Sequence, residues 1–409
     1  MKETKPLHVL ILLNSIGGGA TQGIREMITT MPKDLVNFYL IFPEQPVADQ
    51  SEWLHTNVSG WKSIKMDWWN KNLHLPVHLR VIKSLVSNLK SVFRLRHVVS
   101  LCRLIRDWRI DIVYTGTSLN IEGAIAAKIT GKPHIWHMKE TFGKGGRVKF
   151  PIPDHYVPQL FLLLSNKVIV MTNYIRTFFG DLQDHDKLVV VYDSVSSERF
   201  TSTGEDFRRK LGLERDDLLI AKIASLSSIW KQHELFLKIA ALLKDKYPHV
   251  KFALFGPEPK KYANPVYNTP WNYYQALKGT ADNLKLNNSI IWGGFHSNIP
   301  ELMASLDMLV HTCDTEPFGR IAIEAMVAGK AVVGPDCGGI AETIQDRETG
   351  YLATSGSEKS FAQAIEFLIN NPDERKRIGD QAKVAVKNGS YNQQTHNQKM
   401  LDIFSLLRK

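Results

Sequence analysis

Asp314-Thr315-Glu316-Pro317-Phe318-Gly319-Arg320-Ile321-Ala322-Ile323-Glu324 sets two carboxylates eight residues apart, the first in a turn and the second one turn inside a helix. Pro317 pre-sets a turn and Gly319 permits close backbone approach. From Arg320 onward, Ile321, Ile323, Ala325 and Met326 begin a helical apolar pattern. A helix starting near Gly319 points free backbone N–H groups and a positive dipole end at whatever precedes it, which makes an anion site. Carboxylates beside a phosphate are not its ligands; they accept from hydroxyl groups. The local chemistry therefore reads as a diphosphate on the helix N-terminus with sugar hydroxyls on Glu316 and Glu324, the description of a nucleotide-sugar.

The flanking sequence sharpens this. Ala328-Gly329-Lys330-Ala331-Val332-Val333-Gly334 follows, then Gly338-Gly339-Ile340-Ala341-Glu342, read as a helix-start turn near the donor with no catalytic role for Glu342. With these residues in place the chain resembles the GT4 family of retaining glycosyltransferases, almost end to end and most sharply over residues 218–352. The resemblance implies an α/β chain of GT-B fold, two Rossmann-like domains facing across a cleft. It also implies a donor held mainly by the second domain, an acceptor by the first, and transfer with retention of anomeric configuration.

The rest of the chain alternates as such a fold requires. Leu7–Leu13, Phe38–Phe42, Asp111–Tyr114, His134–His137, Lys167–Met171 and Leu188–Val191 are strand candidates in the first half. Leu219–Ile223, Lys251–Phe255, Ile290–Trp292, Met308–Val310 and Ala331–Val333 repeat the scheme. Strands alternating with helical stretches predict parallel sheets covered on both faces. Asp193–Asp217 is polar and carries the expected boundary. The expected division is an acceptor domain over 1–197, a donor domain over 198–390, and a C-terminal helix over 391–409. The resemblance has that helix cross back to the first domain, with Met400, Leu401, Phe404 and Leu407 as its apolar stripe.

Several strand ends carry candidate site residues. Gly17-Gly18-Gly19 follows a strand and precedes a helix, a phosphate-loop context that is equally the form of a tight turn. Gln22 breaks the GxGxxG pattern, so a dinucleotide dehydrogenase is not indicated. The resemblance places Gly18 and Gly19 against donor phosphate and sugar. Lys231 matches the family's diphosphate lysine, whereas Ser225 stands where the family usually has an arginine, which removes a bidentate donor. His137 ends a strand, and the resemblance assigns it to the active site on the acceptor side; without the resemblance it reads as a satisfied core histidine. Phe295 either stacks on the nucleobase or fills core. The resulting site is catalytic Glu316 and His137, with Gly18, Gly19, Lys231, Phe295, Phe318, Gly319, Arg320, Ile321 and Glu324 on the donor.

Composition bounds the remainder. The 409 residues suit two domains. No stretch reaches the roughly 18 apolar residues of a spanning helix, and Val9–Leu13 is too short for a signal h-region, so a cytoplasmic chain is expected. Cys102, Cys313 and Cys337 form no CxxC pair, and neither a DxD pair nor a metal-ligand constellation appears. The expectation is a metal-independent enzyme with no cofactor, its UDP- or GDP-linked donor being a substrate. Residues 1–195 hold 24 Lys/Arg against 16 Asp/Glu, while 196–409 hold 27 against 25. Within 79–109, Arg80, Lys83, Lys90, Arg94, Arg96, Arg103, Arg106 and Arg109 face one acid, Asp107. That stretch reads either as a peripheral element on an anionic inner membrane face or as a domain helix with a solvated basic side. Trp53, Trp61, Trp68 and Trp69 upstream suit a lipid-linked acceptor or fill a small core. The expected partners are a nucleotide-sugar and a glycan or lipid-linked acceptor, in cell-surface polysaccharide synthesis. The rivals are a nucleotide-sugar epimerase of the same fold and a non-catalytic binding module. A nucleic-acid binder lacks its motifs.

Overall fold

The computed structural model describes residues 5–66, 68–69, 95–262, 268–286 and 289–408. The chain forms two compact units, Met1–Ser194 with Gln393–Lys409, and Val195–Asn392. Each is a parallel sheet with helices on both faces, so the expected α/β architecture is the one observed.

The first unit holds β1 (Leu7–Leu12), β2 (Val36–Phe42), β3 (Gly60–Ser63), β4 (Ile112–Thr115), β5 (His134–Met138), β6 (Lys167–Val170) and β7 (Leu188–Val190), in the order β3-β2-β1-β4-β5-β6-β7 among the described residues. Successive strand side chains point to opposite faces, and β1 shows the consequence. Leu7, Val9 and Ile11 join Ile24, Ile28, Met400 and Phe404 in one layer. Leu10 and Leu12 join Leu101, Ile105 and Ala126 in the other. A strand buried on both faces needs a continuous apolar run, which is why Leu7–Leu12 was legible. The helix Gln393–Leu407 packs in the first layer through Met400, Ile403 and Phe404.

The second unit holds β8 (Leu218–Ile223), β9 (Val250–Phe255), β10 (Ile290–Gly294), β11 (Met308–Val310), β12 (Ala331–Pro335) and β13 (Tyr351–Ala353), in the order β10-β9-β8-β11-β12-β13 among the described residues. Two strands escape the sequence pattern. β3 reads Gly-Trp-Lys-Ser and β13 is three residues long. Both are edge strands, half-buried, so neither needs an apolar run.

Of the basic stretch, Arg80, Lys83, Lys90 and Arg94 lie outside the described residues. Residues 95–107 are helical; Val98, Leu101 and Ile105 are buried while Arg96, Arg103 and Arg106 are exposed. This part is a helix packed through one side on the first unit, with arginines exposed on the other. The upstream tryptophans are largely packed: Trp69 stacks on Phe150 at 4.3 Å and donates to Ser118 O at 2.7 Å, and Trp61 stacks on Phe42 at 5.8 Å. Trp68 is exposed. Among the described residues no helix is long and apolar enough to cross a membrane.

Candidate functional site

β8 and β11 are neighbours although β9 and β10 intervene in sequence, so the chain leaves them toward opposite sides. In open parallel sheets ligands bind beyond the carboxyl ends of strands at such a point. Two loops meet there. After β8, Gly256 of the next strand end crosses so closely that a Cβ on it would lie 1.9 Å from Ala224 O. A short 3-10 turn, Ile229–Lys231, then presents Lys231, and Gln232 turns the chain in the left-handed region (φ 54°) to start the helix His233–Leu243. After β11 come His311, Thr312 and the 314–319 turn. Thr312 Oγ1 donates to Gln232 O at 2.8 Å and ties the loops together.

Glu316 is the centre of this arrangement. Lys231 Nζ donates to Glu316 Oε2 at 2.5 Å, with the two side chains 19% and 14% exposed. His311 Nε2 lies 3.6 Å from the same oxygen. Burial opposes the charge on Glu316, but Lys231 and His311 outweigh it and hold the carboxyl well below its usual range. Burial pushes His311 down to about 4, against the pull of Glu316, so the imidazole is neutral at pH 7. The outcome is a fixed carboxylate with acceptor capacity left over and a lysine whose remaining protons are available to an anion.

The helix Arg320–Val327 begins immediately after, with Gly319 at φ 85° as its N-cap. Phe318 is 2% exposed and packs on Tyr391 at 5.9 Å. Its ring is packed in the core, so its backbone is what remains for a donor. Arg320 Nε donates to Glu324 Oε1 at 3.1 Å, and Glu324 is itself 6% exposed. The N–H groups of this first turn are what remains for an anion. Gly339 N donates to Glu316 O at 2.8 Å and sets the 314–319 turn on the 338–340 turn. A Cβ on Gly319 would stand 2.1 Å from Ile340 Cδ1 and would also occupy a left-handed conformation. Gly319→Ala is therefore expected to destabilise the second unit by about 2 kcal/mol. Denaturant unfolding measures this, and an unchanged midpoint would contradict the packing described.

The other residues read from the sequence divide between exposure and burial. Phe295 follows β10 and is 70% exposed, so it is not core. Ser225 Oγ is engaged by Ser227 Oγ at 2.7 Å. In the first unit Gly18 (φ 93°) and Gly19 open the helix Gly19–Thr30, and a Cβ on either would meet nothing within 4 Å. His137 on β5 is 1% exposed. Its Nδ1 is hydrogen-bonded to the Tyr114 hydroxyl, and its Nε2 has no partner among the described residues. Burial, then Lys139, hold His137 well below its ordinary value, so it is a neutral imidazole with one N–H. Beside it Lys139 and Asp193 form a buried pair at 3.7 Å, for which Gly23 leaves room.

Sequence reasoning missed His311, Lys222, Tyr114, Asp193 and Lys139. The available signal was the same for Lys222, Tyr114, His311 and Lys139: a titratable side chain inside an otherwise apolar strand run or directly after it. Among the described residues no group of three or more His, Cys, Asp or Glu is placed to hold a metal ion.

Residues 204–385, within the second unit, match the family described as glycosyl transferases group 1. The fold is GT-B. Anabaena Alr3699/HepE, solved with UDP and glucose, is similar at a TM-score of 0.74 and 20% identity, over 98% of this chain and 100% of that one. A glycosyltransferase of Rickettsia africae ESF-5 is similar at 0.78 and 21%, over 99% and 100%. In sequence, the putative glycosyltransferase EpsD of Bacillus subtilis (strain 168) is 28% identical over 216 residues, 52% of each chain. A D-inositol 3-phosphate glycosyltransferase of Streptomyces coelicolor is 26% identical over 218 residues, 49% of this chain and 46% of that protein. The chain thus spans about half the length of these two curated relatives.

Proposed function

We propose that the protein is a retaining glycosyltransferase that moves a sugar from a nucleotide diphosphate donor to a hydroxyl of a glycan or lipid-linked acceptor, in cell-surface polysaccharide synthesis. The carrying observation is the Lys231–Glu316 pair beside the N-terminus of the Arg320–Val327 helix, at the carboxyl ends of β8 and β11. The donor is UDP- or GDP-linked. Structures of Anabaena Alr3699/HepE with UDP and with UDP-glucose support the uridine form.

In this reading Lys231 and the backbone N–H groups of Gly319, Arg320 and Ile321 hold the diphosphate. Glu324 accepts from the ribose and Glu316 from hydroxyls of the donor sugar. Phe295, exposed after β10, lies against the base, and Gly18 and Gly19 admit phosphate and sugar. As the bond from the anomeric carbon to the diphosphate breaks, the electron pair leaves with the phosphate oxygen. The acceptor oxygen forms the new bond, and its proton passes to the departing diphosphate oxygen that has gained the electron pair. Charge grows on the leaving diphosphate, where fixed cations and N–H dipoles act most strongly. The first unit takes the acceptor, with His137 offering a neutral N–H. The test is product release: nucleoside diphosphate should appear only when a competent acceptor is present. Release without acceptor, or none with any acceptor, would refute transfer.

The leaving charge has protein partners of its own, so turnover is expected to survive EDTA. Activity abolished by EDTA and restored by magnesium or manganese would overturn this. The exposed Arg96, Arg103 and Arg106 favour reversible attachment to an anionic membrane face, each cation contributing on the order of 1 kcal/mol near the surface. Sedimentation with anionic liposomes should fall steeply with salt, and indifference to such liposomes at low salt would remove the lipid-surface reading.

A further inference from the structure

Lys222 lies inside the apolar strand β8 and is 2% exposed. Cys313 and Glu316 favour its ammonium from nearby, and Lys231 opposes it. An ammonium taken out of water without a counterion is strongly disfavoured. The charged and titratable groups that face it come from the elements around the donor loops. Lys231 sits on the 3-10 turn, His233 at the helix start, and His311, Cys313 and Glu316 lie after β11. Burial holds His233 at about 3 and His311 at about 4, so both are neutral near pH 7. Two lysines thus share one carboxylate, and Lys231 already occupies it. The cluster is one anion short.

We propose that Lys222 is the second cation of the diphosphate site, and that the bound nucleoside diphosphate is the counterion it lacks. This rests on the reading of the second unit as the nucleotide-sugar side. Ser225, three residues further along the chain, brings no charge. Burial first, with Lys231, and against Cys313 and Glu316, pushes Lys222 down to about 7. An arriving anion favours the ammonium and raises that value again. Binding above pH 7 therefore takes up a proton, approaching one at pH 8. Affinity weakens as pH rises from 7 toward the bound-state value, by up to tenfold per pH unit. The diphosphate's own last proton leaves near pH 6, so a window of pH 7–9 isolates the lysine.

The experiment is calorimetric titration of the full chain with UDP, GDP and ADP in turn, at pH 8 in buffers of different ionisation enthalpy. The wild type should take up close to one proton with whichever nucleotide binds. Lys222→Met should take up none and bind at least tenfold more weakly at pH 7, while its unfolding midpoint rises because an uncompensated buried charge is gone. Cys313→Ser should keep the uptake. The proposal is overturned if wild-type binding takes up no proton, if the uptake survives in Lys222→Met, or if it vanishes in Cys313→Ser. A Lys222→Met protein that fails to fold leaves the wild-type proton count and its pH dependence as the deciding measurements. If the wild type binds none of the three nucleotides, the donor reading falls and this inference with it; if it binds them without the proton, only Lys222's role falls.

Discussion

Glu316→Ala is expected to lower kcat by about 10²–10³-fold and, because it leaves the mostly buried Lys231 unpaired, to cost about 3 kcal/mol of stability as well. The carboxylate is ionised by Lys231 and His311, and its free acceptor positions are the groups offered to the donor sugar. Interactions that strengthen as the anomeric bond breaks are lost from kcat rather than from KM. Glu324→Ala supplies the contrast. Glu324 lies within the helix, bound to Arg320, and its loss should raise the donor KM and weaken nucleotide binding while leaving kcat nearer wild type. Steady-state kinetics with saturating donor separates the two. A Glu316→Ala enzyme that turns over at the wild-type rate would end the assignment of that residue.

Lys231→Met should be destabilising as well as inactivating. The Lys231 and Glu316 side chains are both mostly buried, so removing the lysine takes away the cation bonded to the carboxylate and leaves it beside a neutral imidazole and the more distant Lys222. Breaking a buried pair from one side costs about 3–5 kcal/mol, and the residual exposure here places the loss near 3 kcal/mol. Replacing both partners, Lys231→Met with Glu316→Gln, should restore most of that stability while nucleotide affinity stays low. Equal destabilisation in the single and double variants would show that the lysine stem, not the charge, is what the fold uses. The pH dependence follows from the direction of the Glu316 shift. Its folded value is depressed, so its contribution is complete above the unfolded carboxylate value near 4.5 and is lost as pH falls through the folded one. Lys231→Met should therefore flatten the acid side of the stability profile.

The elements a sequence reveals best are those whose environment is uniform. Leu7–Leu12, Leu218–Ile223 and Ala331–Pro335 are buried on both faces, so every position must be apolar or accounted for, and the runs announce themselves. β3 and β13 sit at sheet edges, where half of each strand meets solvent and no run is required. The Gly319 N-cap and the helix after it were legible for a similar local reason: capping and helical spacing act within a few residues.

What the sequence by itself determined is thus the local chemistry and the fold class: alternating strands and helices in two series, a helix N-terminus after Gly319, and glutamates on either side of it. What only the tertiary structure decided is which side chains meet. Lys231 and Glu316 are 85 positions apart, and nothing in either segment states that Nζ and Oε2 come within 2.5 Å. That contact exists because β8 and β11 pair as neighbours while β9 and β10 lie on the other side of β8. The same pairing puts His311 against Glu316 and brings Lys222 among their charges, turned Phe318 into the core, and left Phe295 outside it. Burial and charge compensation depend on neighbours supplied by distant segments, so they are properties of the packed sheet and not of any one stretch of chain.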